Sequence, residues 1–201
     1  RSRGRFRPLA GWRAVQAARI KPSLIDWQQA DLAAIWIGHA TVLLRIGGMT
    51  ILTDPVFSTR IGIGLGLVTA GPRRLVAPAL ALHELPSIDL ILLSHAHFDH
   101  LDRPTLARMA NGRPIIAAHG IDDLVDDLGF KDVRTLRWGE RRQVKGVAIT
   151  ALPVVHWGAR TFYDVQRGFT GYLIESADHR VVYGADSAFG EHFATLRDID
   201  L

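Results

Sequence analysis

The sequence predicts an α/β (α+β) domain in which strands outnumber helices. Apolar runs of strand length recur along most of the chain, and turns that contain Gly or Pro separate them. Residues 32–37, 42–46 and 50–54 follow one another with short Gly-containing connections, which predicts an antiparallel meander. Helices are predicted only at residues 102–112 and 121–128, each ending at or just before a Gly. Further strands are predicted at residues 114–118, 133–136, 143–145, 147–152, 171–175 and 180–183.

Composition limits the kind of protein this is. The chain has 201 residues, of which 48% are hydrophobic and 22% charged, so it can bury a core as a single domain. No apolar run approaches the roughly 20 residues that span a bilayer, and we expect a soluble, cytoplasmic protein. Cysteine is absent. Disulfides and thiolate metal sites are therefore excluded, and any metal ligands must be His, Asp or Glu.

Basic residues are concentrated at the start of the sequence. Residues 1–21 hold seven of the 24 Lys and Arg residues and none of the 20 Asp and Glu residues, so the rest of the chain is net acidic. We therefore predict a basic N-terminal extension or strap over residues 1–30 and the main domain over residues 31–201. The extension is either a solvated arm or a peripheral contact for acidic lipid headgroups. Nucleic acid is not expected as a partner, and the oligomeric state stays open.

The most informative stretch is residues 94–102, Ser-His-Ala-His-Phe-Asp-His-Leu-Asp, directly behind the apolar run 88–93. Three imidazoles and a carboxylate within six residues form a nitrogen and oxygen ligand set suited to borderline divalent metals, above all zinc. A buried strand that ends in polar ligands is typical of an active site at the carboxyl end of a sheet. The stretch therefore predicts a metal site.

Two later strands end in the same way. His156 follows the strand at residues 147–152, and Asp186 follows the strand at residues 180–183. Alone, a loop His or an Asp after a strand is commonly an ordinary polar residue or a helix cap. Because both occupy the same position relative to a strand as the His-rich loop does, we expect them to meet it at one site.

Other polar and glycine-rich segments leave alternatives open. His39 lies in the turn Gly-His-Ala-Thr and either faces the site or is an ordinary loop residue. The glycines at residues 62–66 lack the Gly-Lys-Ser/Thr of a phosphate-binding loop, and the long connection 56–87 is interpreted as a lid or wall for substrate. The arginines considered as phosphate ligands are Arg73, Arg74 and Arg160, each with surface solvation as the plainer alternative.

The sequence resembles the metallo-β-lactamase-fold hydrolases over roughly residues 35–195. Its motifs look most like the branch that contains the N-acyl-phosphatidylethanolamine-hydrolysing phospholipase D enzymes, with sugar-phosphate lactonases close to it. The resemblance implies a four-layer αββα sandwich whose C-terminal part is missing from this chain. The stretches that carry it are residues 36–41, Leu52-Thr53-Asp54-Pro55, residues 94–102, Trp138-Gly139-Glu140, His156-Trp157 and Gly184-Ala185-Asp186-Ser187.

The resemblance also implies roles for individual residues. Asp54 corresponds to an aspartate that supports the metal loop without binding metal. One further ligand, a His beyond an additional strand, is missing, because the sequence stops at Leu201 and His192 comes too soon after Asp186; we therefore expect a fragment of a longer protein. The residues that match the family's metal ligands are His95, His97 and His156 for a first zinc ion, Asp99 and His100 for a second, and Asp186 as the bridge between them.

By resemblance, the function is that of a hydrolase with two zinc ions, or manganese or iron in their place, acting on a small-molecule or lipid-derived anion. The leading hypothesis is hydrolysis of a phosphodiester, such as an N-acyl-phosphatidylethanolamine-like phospholipid, by water activated between the ions. Asp99 and His39 are the candidate catalytic residues, with Asp99 orienting the water or passing a proton to the leaving group. Two alternatives remain open: a lactonase that opens a cyclic ester, and a non-catalytic domain that has lost one metal.

Overall fold

The structure, a computed structural model, describes residues 14–65 and 68–201. In this part of the chain, one α-helix and three 3-10 turns accompany the strands; the turns are Leu82–Glu84, Asp122–Leu124 and Asp126–Leu128. The strands and the helix are β1 (Leu32–Gly38), β2 (Thr41–Ile46), β3 (Met49–Thr53), β4 (Ile63–Leu65), β5 (Val68–Ala70), β6 (Leu90–Leu93), α1 (Arg103–Met109), β7 (Pro114–Ala118), β8 (Asp132–Leu136), β9 (Arg141–Val144), β10 (Val147–Leu152), β11 (Gly171–Glu175) and β12 (Arg180–Tyr183).

The strands form two main sheets. One has six strands in the order β1-β2-β3-β6-β7-β8, and the other has four in the order β12-β11-β10-β9. The predicted meander of β1, β2 and β3 is confirmed as antiparallel. β3, β6, β7 and β8 run parallel to one another. A separate β4–β5 hairpin lies within the long connection, where the sequence predicted no strand.

The two sheets pack face to face over a shared core. Strand β6 is buried on both faces, as expected for a central parallel strand: Leu90 and Leu92 face the four-stranded sheet, while Ile91 and Leu93 face the helical side. The inter-sheet core comprises Leu44, Ile46, Met49, Ile51, Leu90, Leu92, Ile116, Leu136, Val147, Ile149, Ala151, Tyr172, Ile174 and Val181.

A helical layer covers the other face of the six-stranded sheet. Leu106 and Met109 of α1 are buried there, and the 3-10 turns contribute Leu82, Leu124 and Leu128 to the same cluster. All helical segments among the described residues pack on this side, so those residues form a helical layer and two sheet layers. The predicted α+β sandwich is confirmed; the outer helical layer on the four-stranded sheet is not among the described residues.

The helix predicted at residues 121–128 is wrong, because the segment forms two consecutive 3-10 turns. Four of its eight residues are Asp, and neither turn has a side-chain cap at its N-terminus. A helix this short gains few hydrogen bonds against a costly nucleus. The segment ends at Gly129, whose φ is +89°. Its apolar side chains still reach the core, which is why the pattern resembled a helix.

Within residues 14–30, the part around Trp27 packs against the six-stranded sheet. Trp27 is 4% exposed, and its Nε1 donates a hydrogen bond to Thr50 Oγ1 at 3.1 Å. Nearer the N-terminus, Gln16 forms an isolated parallel β-bridge with Val76. The first 13 residues of the predicted basic extension lie outside the described part of the chain. Among the residues described, no helix combines the length and apolarity needed to cross a membrane.

The sheets are also joined at one edge by hydrogen bonds. Tyr172, fully buried in β11, donates from Oη to the carbonyl of Leu93 at the end of β6, at 2.8 Å. Close by, the backbone N–H of Thr170 donates to the carbonyl of Ser94 at 3.0 Å. The end of β6 and the start of β11 therefore meet at this edge, which carries the predicted metal ligands.

We expect Tyr172→Phe to lower the free energy of unfolding by about 1–3 kcal/mol, because it leaves a buried carbonyl short of a donor. Urea unfolding of the metal-free protein measures the change. The matched control is Tyr163→Phe, since Tyr163 is 93% exposed and its loss is expected to change stability by less than about 0.5 kcal/mol. Equal effects for the two variants would contradict the role given to the Tyr172 hydroxyl.

Candidate metal centre

Three imidazoles converge at the shared edge of the two sheets. His95 and His97 lie in the loop after β6, and His156 lies in the connection after β10. His95 Nε2 lies 2.9 Å from His97 Nδ1, and His156 Nε2 lies 3.1 Å from the former nitrogen and 3.2 Å from the latter. The structure thus brings together three side chains that the sequence placed at the ends of two separate strands, β6 and β10.

The spacing of these nitrogens fits a metal ion. Zinc binds imidazole nitrogens at about 2.0–2.1 Å, which sets neighbouring nitrogens of a tetrahedral site about 3.3 Å apart. Burial lowers the pKa values of His95, His97 and His156 below the usual range, so that the rings are neutral near pH 7. Nitrogens at this separation can together ligate one cation placed between them. Neutral imidazole is also the form that ligates metals.

A second group of ligands adjoins the first. His100 Nε2 lies 3.3 Å from Asp186 Oδ1, while Asp186 Oδ2 lies 3.9 Å from His156 Nε2. Asp186 therefore stands between the two groups, where a bridging carboxylate would be. Asp99 and His39 line the same cavity of about 430 Å³ as His100 and Asp186. All six predicted metal ligands thus lie at this edge.

The charges around His100 favour a cation. Burial opposes a positive charge on the ring, but the hydrogen bond to Asp54 and the charges of Asp54, Asp186 and Asp99 raise the pKa of His100 to about 9. The same carboxylates would stabilise a divalent ion at the His100 Nε2 side.

Asp54 joins the metal loop, which is the segment after β6 that carries His95, His97 and His100, to the end of β3. It is fully buried at the end of β3, and its carboxylate accepts hydrogen bonds from the backbone N–H of Ser94 at 2.7 Å and from His100 Nδ1 at 2.7 Å. Ser94 Oγ and Tyr183 Oη donate to it as well. The ligand atoms of Asp54, His95 and His100 also lie close enough to hold an ion. Such an ion would displace these donors, so the hydrogen bonds favour a supporting role for Asp54.

Backbone conformations of positive φ surround the centre. His39, Asp54 and Ala185 have φ of 52°, 35° and 50°. Left-handed conformations of residues other than Gly cost about 1–3 kcal/mol and occur preferentially at functional sites. Here they turn the chain sharply beside β1, β3 and β12, where the site residues begin.

Two of the arginines considered as phosphate ligands instead donate hydrogen bonds to main-chain carbonyls of the protein. Arg74 is buried and donates from Nη1 to the carbonyl of Val56 at 2.7 Å. Arg160 donates from Nη1 to the carbonyls of Ala96 at 2.7 Å and Leu101 at 3.0 Å. Their guanidinium groups therefore brace main chain. The sequence does not distinguish a bracing arginine from a substrate ligand, because the difference lies in tertiary contacts.

Sequence reasoning did not single out Tyr183, and it gave no role to Ser94 within the predicted stretch 94–102. Tyr183 lines the cavity, and its Oη lies 2.7 Å from Asp54 Oδ2 and 3.0 Å from the carbonyl of Ala40. The available signal was its place on β12, three residues before Asp186, with the alternation that turns it toward the facing sheet. Ser94 directly precedes the first His of the loop.

The sandwich and the ligands at its edge define the class of protein, a metal-dependent hydrolase fold of the metallo-β-lactamase type. The sequence matches the beta-lactamase superfamily domain over residues 49–201, and the chain belongs to this family. The resemblance found from the motifs is therefore confirmed, and a fold of this kind implies divalent metal ions.

Individual relatives agree with this assignment. N-acyl-phosphatidylethanolamine-hydrolyzing phospholipase D 1 of Caenorhabditis elegans is 32% identical over 174 residues, which cover 80% of this chain and 48% of that protein. The chain spans about half the length of the curated relatives it matches. Among solved structures, CmlA, a diiron beta-hydroxylase from Streptomyces venezuelae, aligns with a TM-score of 0.59 and 28% identity over 78% of this chain and 30% of that chain.

A possible metal-dependent hydrolase from Veillonella parvula has the same fold at lower identity. It aligns with a TM-score of 0.66 and 22% identity, covering 82% of this chain and 66% of that chain. Both structures therefore support the fold assigned to this chain.

We expect Asp54→Asn to weaken zinc binding about 10- to 100-fold, the usual effect of losing a partner that orients a ligand. Stability should fall by about 1–3 kcal/mol, because an amide hydrogen replaces an acceptor among several donors. Competition with a chromophoric chelator measures the affinity, and urea unfolding measures the stability.

Asp89→Asn is the matched control for Asp54→Asn. Asp89 also accepts a backbone N–H, from Thr50 at 2.9 Å, and it lies just before β6, at the end of that strand opposite the metal loop. Its variant is expected to lose stability and keep zinc affinity. Wild-type affinity in Asp54→Asn, or the same loss in both variants, would contradict the supporting role.

Proposed function

We propose that this domain is the catalytic part of a two-zinc hydrolase that cleaves a phosphodiester of a lipid-derived substrate. One observation carries the proposal: the carboxylate of Asp186 lies between His156 of one ligand group and His100 of the other. Two ligand groups that share a carboxylate can hold two ions close together, which is the arrangement used in two-metal hydrolysis. An enzyme is favoured over a non-catalytic domain because Asp99, His100 and Asp186 of the second ligand group line a cavity.

The donor set suits zinc. It consists of imidazoles and carboxylates and contains no thiolate. The same donor set is also compatible with iron or manganese. Zinc bound by these side chains would lower the pKa of a water toward neutrality and stabilise charge on the attacking and leaving oxygens. His95, His97 and His156 would hold one ion, and Asp99, His100 and Asp186 the other.

The chain's own residues complete the cavity. Asp99 lies on its wall, where its carboxylate can orient water or carry a proton to the leaving oxygen. His39 lies on the same wall, and burial together with the charge of Arg74 lowers its pKa, against the opposing effect of Asp99. A neutral His39 can hydrogen-bond to a substrate oxygen without adding charge.

Charge and apolar surface support the choice of substrate. Two divalent ions exceed the charge of the two carboxylates that hold them, so the loaded site would attract an anion such as a phosphodiester. Exposed aromatic side chains lie beside it: Trp36 lines the cavity, and Trp157 packs against His97 with ring centroids 5.2 Å apart. They offer contact for an apolar group. The C. elegans relative, named for hydrolysis of a phospholipid diester, points the same way.

Contact with acidic lipid headgroups through the basic N-terminal segment is part of the proposal. Its support is the charge of residues 1–21 in the sequence. Lys21, the last basic residue of that segment, is already engaged in an ion pair with Glu84. The contact would therefore rely on the arginines before it.

A substrate panel tests the proposed reaction. With zinc supplied, we expect hydrolysis of bis(4-nitrophenyl) phosphate and of N-acyl-phosphatidylethanolamine vesicles to exceed opening of a γ-lactone. His97→Ala should reduce diester hydrolysis by about 100- to 1,000-fold, the scale of losing one electrostatic stabiliser of the transition state. Its metal-free stability should change by less than about 1 kcal/mol, because the substitution removes a partly exposed polar ring.

His83→Ala is the control, since His83 is exposed in a 3-10 turn outside the site. It should hydrolyse the diester at the wild-type rate. Faster turnover of the lactone than of either diester would replace the proposal with a lactonase, and unchanged diester turnover in His97→Ala would exclude the site. Zinc binding without turnover of any substrate would favour the non-catalytic alternative.

A further inference from the structure

Arg160 connects the two segments that carry most of the candidate metal ligands. It lies four residues after His156, and its guanidinium reaches the loop that contains His95, His97 and His100. We propose that Arg160 is a positioning residue that holds this loop in the shape required to bind metal. The inference rests on the metal centre of the proposed function and goes beyond the ligands themselves.

The contacts of Arg160 span the loop. Its Nη1 donates to the carbonyl of Ala96, between the first two histidines, and to the carbonyl of Leu101, directly after the third. Between these points the loop makes a tight turn, in which the carbonyl of His97 accepts hydrogen bonds from His100 N at 3.1 Å and Leu101 N at 2.8 Å. One guanidinium nitrogen therefore fixes both ends of the turn.

Arg160 also stacks on a side chain of that turn. Its guanidinium carbon lies 4.0 Å from the centroid of the Phe98 ring, within the range of a cation–π interaction. The planar group thus contacts the loop through two carbonyls and one aromatic face. A lysine ammonium reproduces the charge but lacks the planar, stacking geometry.

The guanidinium of Arg160 stays charged at neutral pH, although burial disfavours the charge. Burial first, and then the charges of Arg103 and Arg167, lower the pKa of Arg160 to about 10, so it stays charged at neutral pH. In the described part of the chain its hydrogen-bond partners are main-chain carbonyls of the metal loop. The partly buried guanidinium of Arg160 thus binds the main chain of one loop instead of a carboxylate. This choice of partner indicates that Arg160 stabilises the conformation of that loop.

The segment that carries Arg160 is itself fixed. Arg167 binds Asp123 through both Nη atoms, at 2.5 and 2.8 Å, and Asp164 through Nε at 2.5 Å. A Cβ on Gly158 would lie 2.2 Å from the carbonyl oxygen of Arg167, so the connection folds closely on itself at this point. His156 and Arg160 are therefore held on one rigid connection, and Arg160 sets the distance from it to the loop.

The plain alternative is that Arg160 only stabilises the fold. The test compares zinc affinity with the stability of the metal-free protein in Arg160→Met, Arg160→Lys and Arg113→Met. Arg113 is the matched control because its Nη1 also donates to a main-chain carbonyl, that of Met109 at 2.8 Å, at the end of α1. Affinity is measured by chelator competition, and stability by urea unfolding without metal.

We expect Arg160→Met to bind zinc about 10- to 100-fold more weakly than wild type, as for other residues that orient ligands. Arg160→Lys should recover part of this affinity, and Arg113→Met should keep all of it at a similar loss of stability. If Arg160→Met does not fold, Arg160→Lys against wild type provides the comparison, with at least threefold weaker binding expected.

Zinc affinity within twofold of wild type in the folded Arg160 variants would overturn the inference, as would an equal loss in Arg113→Met. These outcomes are separate from failure of the proposed function. A wild-type protein that binds zinc but cleaves no phosphodiester removes that function and leaves the role of Arg160 to be decided by the affinities. A wild-type protein that binds no zinc overturns both.

Discussion

The geometry of the candidate metal centre depends on the hydrogen bonds of the buried carboxylate of Asp54. This carboxylate lies at the end of β3. Because Thr53 of β3 pairs with Leu92 of β6, the two strands end side by side. From there it receives hydrogen bonds from Ser94 and His100 in the loop after β6 and from Tyr183 at the end of β12. An unpaired carboxylate at this depth would be costly. The position of the loop is therefore linked to the hydrogen bonds that Asp54 accepts.

The ligand side chains differ in exposure. His95 is 1% exposed and His100 is 3% exposed, whereas the Asp186 side chain is 47% exposed and lines the cavity. In the proposed function, Asp186 is therefore the ligand that lies nearest to substrate. Asp186 couples the two ligand groups, since any movement of the connection after β12 shifts the carboxylate relative to both His156 and His100.

Local sequence patterns predicted much of the fold. The strands at residues 114–118, 147–152, 171–175 and 180–183 have the predicted ends, because Gly, Pro and charged residues bound apolar runs of strand length. Residues 121–128 failed for a physical reason: Ile121, Leu124, Val125 and Leu128 have the spacing of a helix, and two successive 3-10 turns bury the same side chains. Pattern alone does not separate the two.

For the site, residue types and strand ends predicted which side chains would meet, and the structure brings His95, His156 and Asp186 together. The residues that hold them were not predictable in the same way. Tyr183 and Arg160 act through partners 129 and about 60 residues away in sequence, and no local pattern encodes such contacts. Residues 1–13, which hold five of the seven basic residues of the extension, and residues 66–67 lie outside the described part of the chain, so the expectations placed on them stay predictions.

In the proposed function, two metal ions share this edge through Asp186, and Asp54 lies outside their coordination. Anomalous diffraction at the zinc edge from zinc-loaded crystals distinguishes this arrangement from others, because it locates each ion independently of activity. We expect one peak among His95, His97 and His156 and a second, about 3.5–4 Å away, beside Asp99, His100 and Asp186. A peak bound by Asp54, or no peak among the three histidines, would contradict it.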